Sequence, residues 1–482
     1  MTSRSTSRIT AQDFYDFKKC PHRVYLNRYG REEERLPQSA FLNLLFENGL
    51  SHERDVIKGL AFETPTGTTL GERAESTLKL LRRGADRIFH GVLLLASESG
   101  IPDLLEKVTG SSLLGDFFYV PVDIKAGSGY KDREKQLLRE DYGMQLYHYG
   151  ALLQSIQGVF PPEAAILNRD KDRIPYRLDL FKGAYEHALP EIRALVTGVQ
   201  SDEPAYSSSA CGACQWWGCC EKVLDAKKDV TLLPDVGRSR KAILSTVGIR
   251  SIPDIPNLDF SKIKLKGIGR KTVDSMVRAA NSVLSNRLQV LGRALIPDPP
   301  RKIYLDFEDD PTQDLIYLCG MWVEPPLNQL NYHGLFCADD SGEEKIWTEF
   351  QKICVAVASD DYAVFHYSSY ESAKLNSLER KYGTQEKDAV TIFRNRMVDL
   401  CPIVKETVVL PTRSYGLKAV APFAGIKYSA KDAGGAQSIV WFQEYQQDQN
   451  REDLLKTLLT YNREDCVAMK YVEGWLRTLA PS

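Results

Sequence analysis

Two pairs of charged residues occur at strand spacing in distant parts of the chain. Asp123 and Lys125 stand in the segment FFYVPVDIKAG, and Asp306 and Glu308 stand in RKIYLDFEDD. Side chains two positions apart in a strand point to the same face of the sheet, so each pair projects together. Neighbouring carboxylates repel one another unless a cation joins them. The acidic pair therefore indicates a site where a divalent cation and charged side chains act together on a phosphate ester, and Asp123 with Lys125 indicates one if a further carboxylate joins them.

A further carboxylate, Asp103, precedes the first pair. It follows a proline in GIPDLLEKV and enters another apolar strand. We expect it to meet Asp123 and Lys125 from a neighbouring strand, because Mg²⁺ takes one or two carboxylates together with phosphate oxygens. The lysine would position the attacking water or neutralise the charge that develops. A solvated strand face is the alternative explanation of this pattern.

Two helical segments carry polar residues that belong to the same hypothesis. His52 lies on the apolar stripe of FLNLLFENGLSHERDVIKGL, at helical spacing. A histidine in that place is either a core residue with satisfied hydrogen bonds or a metal ligand. Gln145 and Tyr149 lie four apart in DYGMQLYHYGALL and share a helix face. Ordinary helix packing is the alternative for this second pair.

Four cysteines lie within ten positions in the stretch CGACQWWGCC. Cys211 and Cys214 form a C-x2-C turn, whereas Cys219 and Cys220 are adjacent and hardly both ligate one metal. The stretch thus offers three local ligands, and Cys20 in FKKCPHR is the candidate for the fourth. Thiolates suit iron–sulfur clusters or zinc. The absence of a second C-x2-C disfavours a zinc ribbon, and a partial cluster with a buried Cys20 is the remaining alternative.

The features of the first half follow one another in order: Cys20, His52, Pro102-Asp103, Asp123-Ile124-Lys125, Gln145 with Tyr149, and C-x2-C-x5-C at 211–220. This ordered set resembles the RecB-type PD-(D/E)xK nucleases with an iron–sulfur cluster, including CRISPR-associated ones. The resemblance covers residues 1–225 and implies a restriction-endonuclease-like domain. It implies metal ligation by His52, Asp103, Asp123 and the Ile124 carbonyl, catalysis by Lys125 and support by Gln145. It also implies a [4Fe–4S] cluster held by Cys20, Cys211, Cys214 and Cys220, although Cys219 competes with Cys220.

A basic turn lies in the middle of the chain. Residues 236–287 read as short helices, and LKGIGRKTVDSMVRAA places a Gly-Ile-Gly turn before a helix. Such a turn lets backbone N–H groups approach a phosphate closely. The segment resembles a helix-hairpin-helix motif, which implies sequence-independent DNA contact through Lys266, Gly267, Gly269, Arg270 and Lys271. A structural helical linker is the alternative, and the proline-rich ALIPDPPRK marks the end of the segment.

The last third carries a second acidic group. In LLKTLLTYNREDCVAMKYVEGWL, Tyr461 and Asp465 lie four apart on an apolar helical stripe that contains no lysine or arginine. A buried acid is costly without a partner. Convergence of Asp465 with Asp306 and Glu308 on two metal ions would supply one. The alternatives are a solvated acidic strand end and a buried ion pair with a distant basic residue.

Residues 300–482 resemble the DEDD exonucleases of the ribonuclease H-like fold, the DnaQ-type proofreading group. The resemblance rests on Asp306 with Glu308 and on Tyr461-x3-Asp465. It implies Asp306, Glu308, Glu371 and Asp465 as ligands for Mg²⁺ or Mn²⁺, with Tyr461 orienting the attacking water. The second motif departs from the family's N-x3-Y-D, because His366-x3-Tyr370-Glu371 stands there and the longer glutamate displaces the metal. Asp399 is a possible additional acidic member.

Composition limits the class of protein. The 482 residues are 43% hydrophobic and 26% charged, with a net charge of -2, as in an ordinary globular chain. The N-terminus lacks an apolar signal core, and no apolar run is long enough for a membrane span. We therefore expect a cytoplasmic protein without a membrane partner. Its ten cysteines then indicate thiols or a metal site instead of a disulfide framework.

The sequence predicts a multidomain α/β protein that acts as a metal-dependent DNA nuclease at two sites. The order of domains looks like that of RecB-like nucleases fused to a ribonuclease H-like domain, some relatives of which carry a helicase. Single-stranded DNA or DNA ends are the expected substrate. One alternative is a DNA-end-binding adaptor with one or both sites silent, used by a helicase or CRISPR-type partner. An RNA exonuclease is the other alternative.

Overall fold

The computed structural model describes residues 8–132, 136–256, 265–429 and 434–480. The chain forms two compact units, Met1–Pro204 with Ser209–Glu221 and Ala205–Ser208 with Lys222–Ser482. Both units mix helices and strands, so the predicted multidomain α/β class is confirmed. The predicted segments 236–287 and 300–482 both fall in the second unit, and their separation into two domains stays a prediction.

The first unit is built on a five-stranded sheet with the order β10-β9-β6-β5-β2. Its β6 and β9 run parallel, and the other neighbours run antiparallel. A smaller sheet has the order β1-β4-β3, and β7 pairs with β8. The strands are β1 (Ile9–Thr10), β2 (Arg87–Phe89), β3 (Leu93–Leu94), β4 (Glu98–Gly100), β5 (Leu104–Ser112), β6 (Gly115–Ile124), β7 (Tyr130–Asp132), β8 (Leu137–Leu138), β9 (Glu163–Leu167) and β10 (Arg173–Arg177).

Helices cover this sheet, and α5 packs most deeply. Its apolar side chains join those of β5, β6 and β9 in the main core of the unit. The helices of this unit are α1 (Ala11–Lys19), α2 (Pro21–Tyr29), α3 (Ala40–Ile57), α4 (Leu70–Arg83), α5 (Glu140–Gln157) and α6 (Lys182–Thr197). Two further helices, α7 (Ser208–Cys211) and α8 (Trp217–Lys227), each contain residues of both units. A threonine–glutamate capping box starts α4, which satisfies backbone N–H groups that a helix otherwise leaves free.

The second unit contains a sheet with the order β14-β13-β12-β15-β16. Its first three strands form an antiparallel meander, and β15 and β16 are added parallel to β12. A separate pair joins β11 to β17. The strands are β11 (Gln289–Val290), β12 (Arg301–Asp310), β13 (Leu315–Leu327), β14 (Leu330–Phe336), β15 (Tyr362–His366), β16 (Met397–Asp399) and β17 (Val408–Val409).

The longest helix, α17, packs against the central strands of this sheet. Its buried face follows helical spacing, with Leu454, Leu458, Tyr461, Asp465, Ala468 and Val472 all buried. Because the carboxylate sits on the apolar face, the packing carries it to the central strand β12. The helices are α9 (Arg238–Ser245), α10 (Arg270–Ser285), α11 (Asp340–Val357), α12 (Tyr370–Tyr382), α13 (Lys387–Asn395), α14 (Leu400–Thr407), α15 (Leu417–Val420), α16 (Gly435–Gln447) and α17 (Glu452–Thr478).

No helix in the described ranges combines the length and the apolarity needed to cross a membrane.

Candidate metal centres

Three carboxylates converge in the second unit. Oxygen atoms of Asp306, Glu308 and Asp465 all lie within 4.8 Å of one another. Asp306 and Glu308 come from β12, as strand alternation predicts, and Asp465 comes from the buried face of α17. Three acids this close and this well buried form a donor set for a divalent cation, which takes carboxylate oxygens as ligands.

Burial disfavours the charged state of all three groups, and mutual repulsion adds to this for Asp306 and Glu308. Burial raises the pKa of Asp306 well above its usual range, and the carboxylates of Glu308 and Asp465 add to the rise. Burial, reinforced by Asp465, raises the pKa of Glu308 to about 8. Burial also raises the pKa of Asp465 to about 6, although the charge of Lys418 opposes that rise. A bound cation would remove this electrostatic cost.

One buried oxygen atom at the site lacks a hydrogen-bond partner. Asp465 Oδ1 is inaccessible to solvent and accepts no hydrogen bond from the described residues. A buried acceptor without a partner costs free energy, so native structures rarely keep one without reason. Ligation of a cation would satisfy such an atom, and the residues present therefore fit a divalent metal.

Lys418, from α15, contributes a cation that the sequence pattern does not reveal. Its Nζ donates to Tyr461 Oη at 2.6 Å and lies 4.0 Å from the centroid of the tyrosine ring. Its charge opposes the rise in the pKa of Asp306, Glu308 and Asp465. Lys418 therefore both neutralises part of the acidic group and fixes the Tyr461 hydroxyl.

Asn462 positions the first carboxylate. Its Nδ2 donates to Asp306 Oδ2 at 2.7 Å, and its Oδ1 accepts a hydrogen bond from Tyr332 Oη at 2.8 Å. Gly320 makes room for this amide, because a Cβ at that position would lie 1.6 Å from Asn462 Oδ1. The amide thus has both a partner and a close-fitting space, although nothing in the sequence pattern singles it out.

Glu371 lies outside the group of three, and the metal ligation that the resemblance implied for it stays a prediction. Its Oε2 lies 3.3 Å from His366 Nδ1, and that nitrogen is 2.7 Å from the Ser368 carbonyl oxygen. Burial raises the pKa of Glu371, with His366 opposing the rise. The Glu371 charge still contributes to the raised pKa of Asp306, so Glu371 faces the site from one side.

The other acids nearby have structural partners. Asp399 accepts hydrogen bonds from the backbone N–H groups of Ser368 at 2.8 Å and Cys401 at 2.9 Å. It thereby caps α14 and holds the loop after β15. Asp309 follows a register shift in β12, and its carboxylate accepts hydrogen bonds from Tyr370 and Lys374. These partners engage Asp309 outside the group of three.

In the first unit, the strand register brings Asp103 opposite Asp123. Leu104 pairs with Val122 across the antiparallel strands β5 and β6. Asp103, just before Leu104, therefore lies opposite Asp123, just after Val122. The Ile124 N–H donates to Asp103 Oδ2 at 2.6 Å, and Lys125 Nζ lies 2.9 Å from Asp123 Oδ2. The structure therefore gathers the three charged residues that the sequence singled out there.

The electrostatics of these residues resemble those of the second unit. Burial, together with the Asp123 charge, raises the pKa of Asp103 to about 7. Burial alone would lower the pKa of Lys125, but Asp123 and Asp103 outweigh it and the net shift is upward. Lys125 is therefore a firmly charged cation, able to neutralise negative charge but unsuited to accept a proton.

Asp103 has two neighbours with possible ligand atoms that the sequence did not single out, and ligation by His52 stays a prediction. Ligand atoms of Glu53, His90 and Asp103 all lie within 4.8 Å of one another, and Glu53 Oε1 is 2.8 Å from His90 Nε2. His52 is not in this group. Consecutive helical residues point about 100° apart, so His52 turns away when Glu53 faces the strand. Its burial lowers its pKa, and it lies near the backbone of Leu167 and Asn168.

Gln145 and Tyr149 are both buried on α5. The Tyr149 hydroxyl donates to the Ile101 carbonyl at 3.4 Å, next to the loop that carries Asp103. The charges of Asp123 and Asp103, after burial itself, raise the pKa of Tyr149. These contacts place α5 beside the carboxylates, and the supporting role of Gln145 stays a prediction.

The cysteines form a second candidate centre in the first unit. Cys20 joins α1 to α2, and the Cys214 N–H donates to the Cys211 carbonyl at 3.0 Å, closing the C-x2-C turn. Burial raises the pKa of Cys220, and the neighbouring thiols of Cys219, Cys214 and Cys20 raise it further. Burial likewise raises the pKa of Cys214. These thiols are half-buried and are not among the groups of described ligand atoms that lie within 4.8 Å of one another, so the iron–sulfur centre stays a prediction.

The predicted phosphate-binding residues are exposed on the second unit. Gly267 has a φ of +88°, a conformation that glycine adopts without strain. Gly269 is the N-cap of α10, and Arg270 and Lys271 begin its first turn. Lys266 precedes this turn and is also exposed. Two further lysines that the charge pattern included, Lys262 and Lys264, lie outside the described residues.

Comparison with known families identifies the fold of the second unit's sheet and helices. The RNase H superfamily matches residues 303–477. The match spans β12 to α17 and contains Asp306, Glu308, Glu371, Tyr461 and Asp465. It confirms the ribonuclease H-like part of the predicted fold and supports a nuclease-type function. No curated protein gives a significant match to the chain.

The raised pKa values lead to a first prediction, about cation affinity and pH. A carboxyl group with a raised pKa holds its proton at lower pH and must release it to bind a metal. Mn²⁺ affinity of the second unit should therefore increase as pH rises from 6 to 9, by on the order of tenfold per unit for each displaced proton. Calorimetry on the Asp123→Asn protein would measure it. Glu308→Gln should weaken the dependence, whereas exposed Glu452→Gln should not, and a flat profile would contradict the assignment.

Proposed function

We propose that this protein is a divalent-metal-dependent nuclease that degrades single-stranded DNA or DNA ends. The observation that carries the proposal is the group of Asp306, Glu308 and Asp465, gathered within 4.8 Å inside the RNase H-like residues. The second unit would remove nucleotides from 3′ ends. The first unit would hydrolyse phosphodiester bonds at a PD-(D/E)xK-type site.

Each residue of the second unit has a role that follows from its contacts. Asp306, Glu308 and Asp465 would hold the cations, and Asn462 keeps Asp306 in place. Bound divalent cations would polarise the scissile phosphate and activate the attacking water. Because Lys418 donates to Tyr461 Oη, the tyrosine proton remains available to orient that water.

In the first unit, Asp103 and Asp123 would ligate a cation from adjacent strands. Lys125, held 2.9 Å from Asp123, would neutralise charge that develops on the phosphate. Glu53 and His90 complete the donor set around Asp103. Four thiolates, Cys20 among them, would hold a [4Fe–4S] cluster that ties the start of the unit to residues 211–220.

The exposed basic turn at 266–271 supports contact with a nucleic-acid backbone, and its resemblance to a helix-hairpin-helix motif favours DNA. Backbone N–H groups at the start of α10 and the cations beside them suit phosphate contact without base reading. A helicase or CRISPR-type protein is the proposed partner, since nuclease units of this kind act on unwound ends.

The test compares single strands of DNA and RNA labelled at the 3′ or the 5′ end, with Mg²⁺ or Mn²⁺ and with chelator. We expect DNA to be shortened from the 3′ end only when a cation is present. Faster loss of RNA would support the RNA exonuclease alternative. Binding without degradation of either polymer would overturn the proposal and leave an adaptor.

Lys418→Met is the second prediction. The change removes the cation that faces the carboxylates and the donor to Tyr461, so 3′ trimming should fall about 10- to 100-fold, mainly in kcat. Steady-state kinetics on a labelled single strand would measure the loss. Lys405→Met removes an exposed positive charge of the same unit and should leave the rate within about twofold. Equal effects of the two variants would contradict the role of Lys418.

Cys20→Ser is the third prediction. Anaerobically purified protein should contain iron and sulfide, and Cys20→Ser should lose most of both and unfold at lower temperature, because the site closes a long loop. Metal analysis and thermal melts would measure these changes. Cys401→Ser in the other unit is the control. Comparing Cys219→Ser with Cys220→Ser identifies the fourth ligand, and stoichiometric zinc without iron would contradict the cluster.

A further inference from the structure

A cavity of about 410 Å³ lies in the first unit beside the cysteines. Side chains of α1 and α2, Arg35 and residues 209–216 form its walls. Its volume falls in the range of about 300–1,000 Å³ that is usual for small-ligand pockets. None of the five cysteines of this unit is among the described residues that line it, so the cavity is distinct from the thiol cluster.

The charges in the walls favour an anion. Lys19, Arg23 and Arg35 face the cavity against a single carboxylate, Asp16. Arg23 Nε lies 3.1 Å from Asp16 Oδ1, and that buried acid also accepts hydrogen bonds from two amide side chains. The Asp16 charge is thus compensated locally. Lys19 Nζ lies 3.1 Å from Asp141, an acid that Arg139 also neutralises, and Arg35 lies 3.4 Å from the exposed Glu32. Both cations are more than one-third exposed, and such pairs are weak enough for them to turn to a phosphate.

The rest of the wall suits a nucleoside. Trp216 is largely buried and lines the cavity with the small part of its ring that remains exposed; its position is held by a hydrogen bond from Nε1 to Asn27 Oδ1 at 2.8 Å. The Arg35 guanidinium lies 5.7 Å from the tryptophan ring centroid, which brings the cation and the aromatic ring together. The Gln215 amide is engaged by Arg35 and Leu36, whereas Gln12 donates one N–H to Asp16 and keeps its oxygen for a sugar or a base edge.

We infer that this cavity binds a nucleoside monophosphate, with the phosphate against Arg23, Arg35 and Lys19 and the base against Trp216. A free nucleotide and the phosphorylated end of a single strand both offer this combination of a phosphate and a base. The strand-end form rests on the proposed nuclease function, whereas the free-nucleotide form does not. The position apart from the carboxylates makes this a second binding site of the first unit, separate from the hydrolytic one.

The test uses the full chain with Asp103→Asn and Asp465→Asn, in chelator, so that no substrate is consumed. Calorimetry would compare thymidine monophosphate, thymidine, inorganic phosphate, and single strands with a 5′-phosphate or a 5′-hydroxyl. We expect the monophosphate to bind at least about tenfold more tightly than thymidine or phosphate alone. Tighter binding of the 5′-phosphorylated strand than of the 5′-hydroxyl strand would identify the strand end as the ligand.

Arg35→Gln and Lys19→Gln, both at partly exposed positions, should each weaken this binding at least about tenfold. Arg31→Gln is the matched control, because Arg31 has the same charge, lies on the same segment and is absent from the cavity wall. Circular dichroism would verify that the variants fold. No binding of the monophosphate to wild type, or equal binding by all three variants, would overturn the inference. Cleavage assays on the unmodified chain test the nuclease proposal separately, so the two can fail independently.

Discussion

Asp465→Asn is expected to abolish 3′ trimming by the second unit, with a loss of at least about 1,000-fold. That loss corresponds to roughly 4 kcal/mol of transition-state stabilisation. Asparagine keeps the shape of the side chain but removes one of three charges that converge within 4.8 Å. The metal-free protein should not lose stability, because burial already raises the pKa of Asp465 to about 6 and its charge is disfavoured there. Catalysis and stability should therefore separate in this variant.

The measurement is degradation of a labelled single strand in a Lys125→Met background, so that the first unit is silent. Thermal melts with and without Mn²⁺ give the second readout, and the cation-dependent stabilisation should disappear with Asp465→Asn. Asp309→Asn is the matched control from the same acidic run, since Asp309 is bound by Lys374 and Tyr370 instead of the cluster. Trimming that survives Asp465→Asn would remove this residue from the site.

Lys125→Met is expected to abolish cleavage by the first unit, again by at least about 1,000-fold, or roughly 4 kcal/mol. The ammonium group lies 2.9 Å from Asp123 and retains its charge near two acids, so its loss leaves the developing phosphate charge without compensation. DNA binding should change little, because the exposed turn at 266–271 supplies the proposed phosphate contacts. Cleavage should also fall as pH drops below about 7, where Asp103 gains a proton.

The assay for the first unit uses an Asp465→Asn background and follows both cleavage and strand binding. Lys107→Met removes a lysine from the neighbouring strand β5, where it pairs with Asp86, and serves as the control. Asp103→Asn should reproduce the loss, and Glu53→Gln and His90→Gln test the ligands that only the structure revealed. Unchanged cleavage in Lys125→Met and Asp103→Asn would contradict the PD-(D/E)xK assignment.

The spacing of residues within single strands and helices predicted part of the acidic site in the second unit. Alternation in β12 placed Asp306 and Glu308 on one face, and helical spacing placed Tyr461 and Asp465 on the buried face of α17. These geometries repeat every two or about 3.6 residues, so they can be derived from sequence. The spacing did not reveal the register shift after Glu308, nor the bonds of Asp309 to Tyr370 and Lys374.

Other members of the sites have no local pattern. Lys418 comes from a four-residue helix, and His90 comes from the loop after β2 with a φ of +51°. Asn462 is next to Tyr461, which the helical spacing singled out, but its role depends on the space that Gly320 leaves in β13. The helix that carries His52 and Glu53 was predicted from the sequence. The sequence pattern selected His52, whereas the neighbouring Glu53 is the residue whose carboxylate lies near Asp103.

The sequence by itself determined which residue types can hold a cation and which face of its own element each one occupies, because bond geometry sets those directions locally. Only the tertiary structure decided which faces meet. The distance between Asp465 and Asp306, or between Lys418 and Tyr461, depends on how whole elements pack around a shared core. That packing is the sum of many contacts far apart in the chain, so no short stretch of sequence contains it.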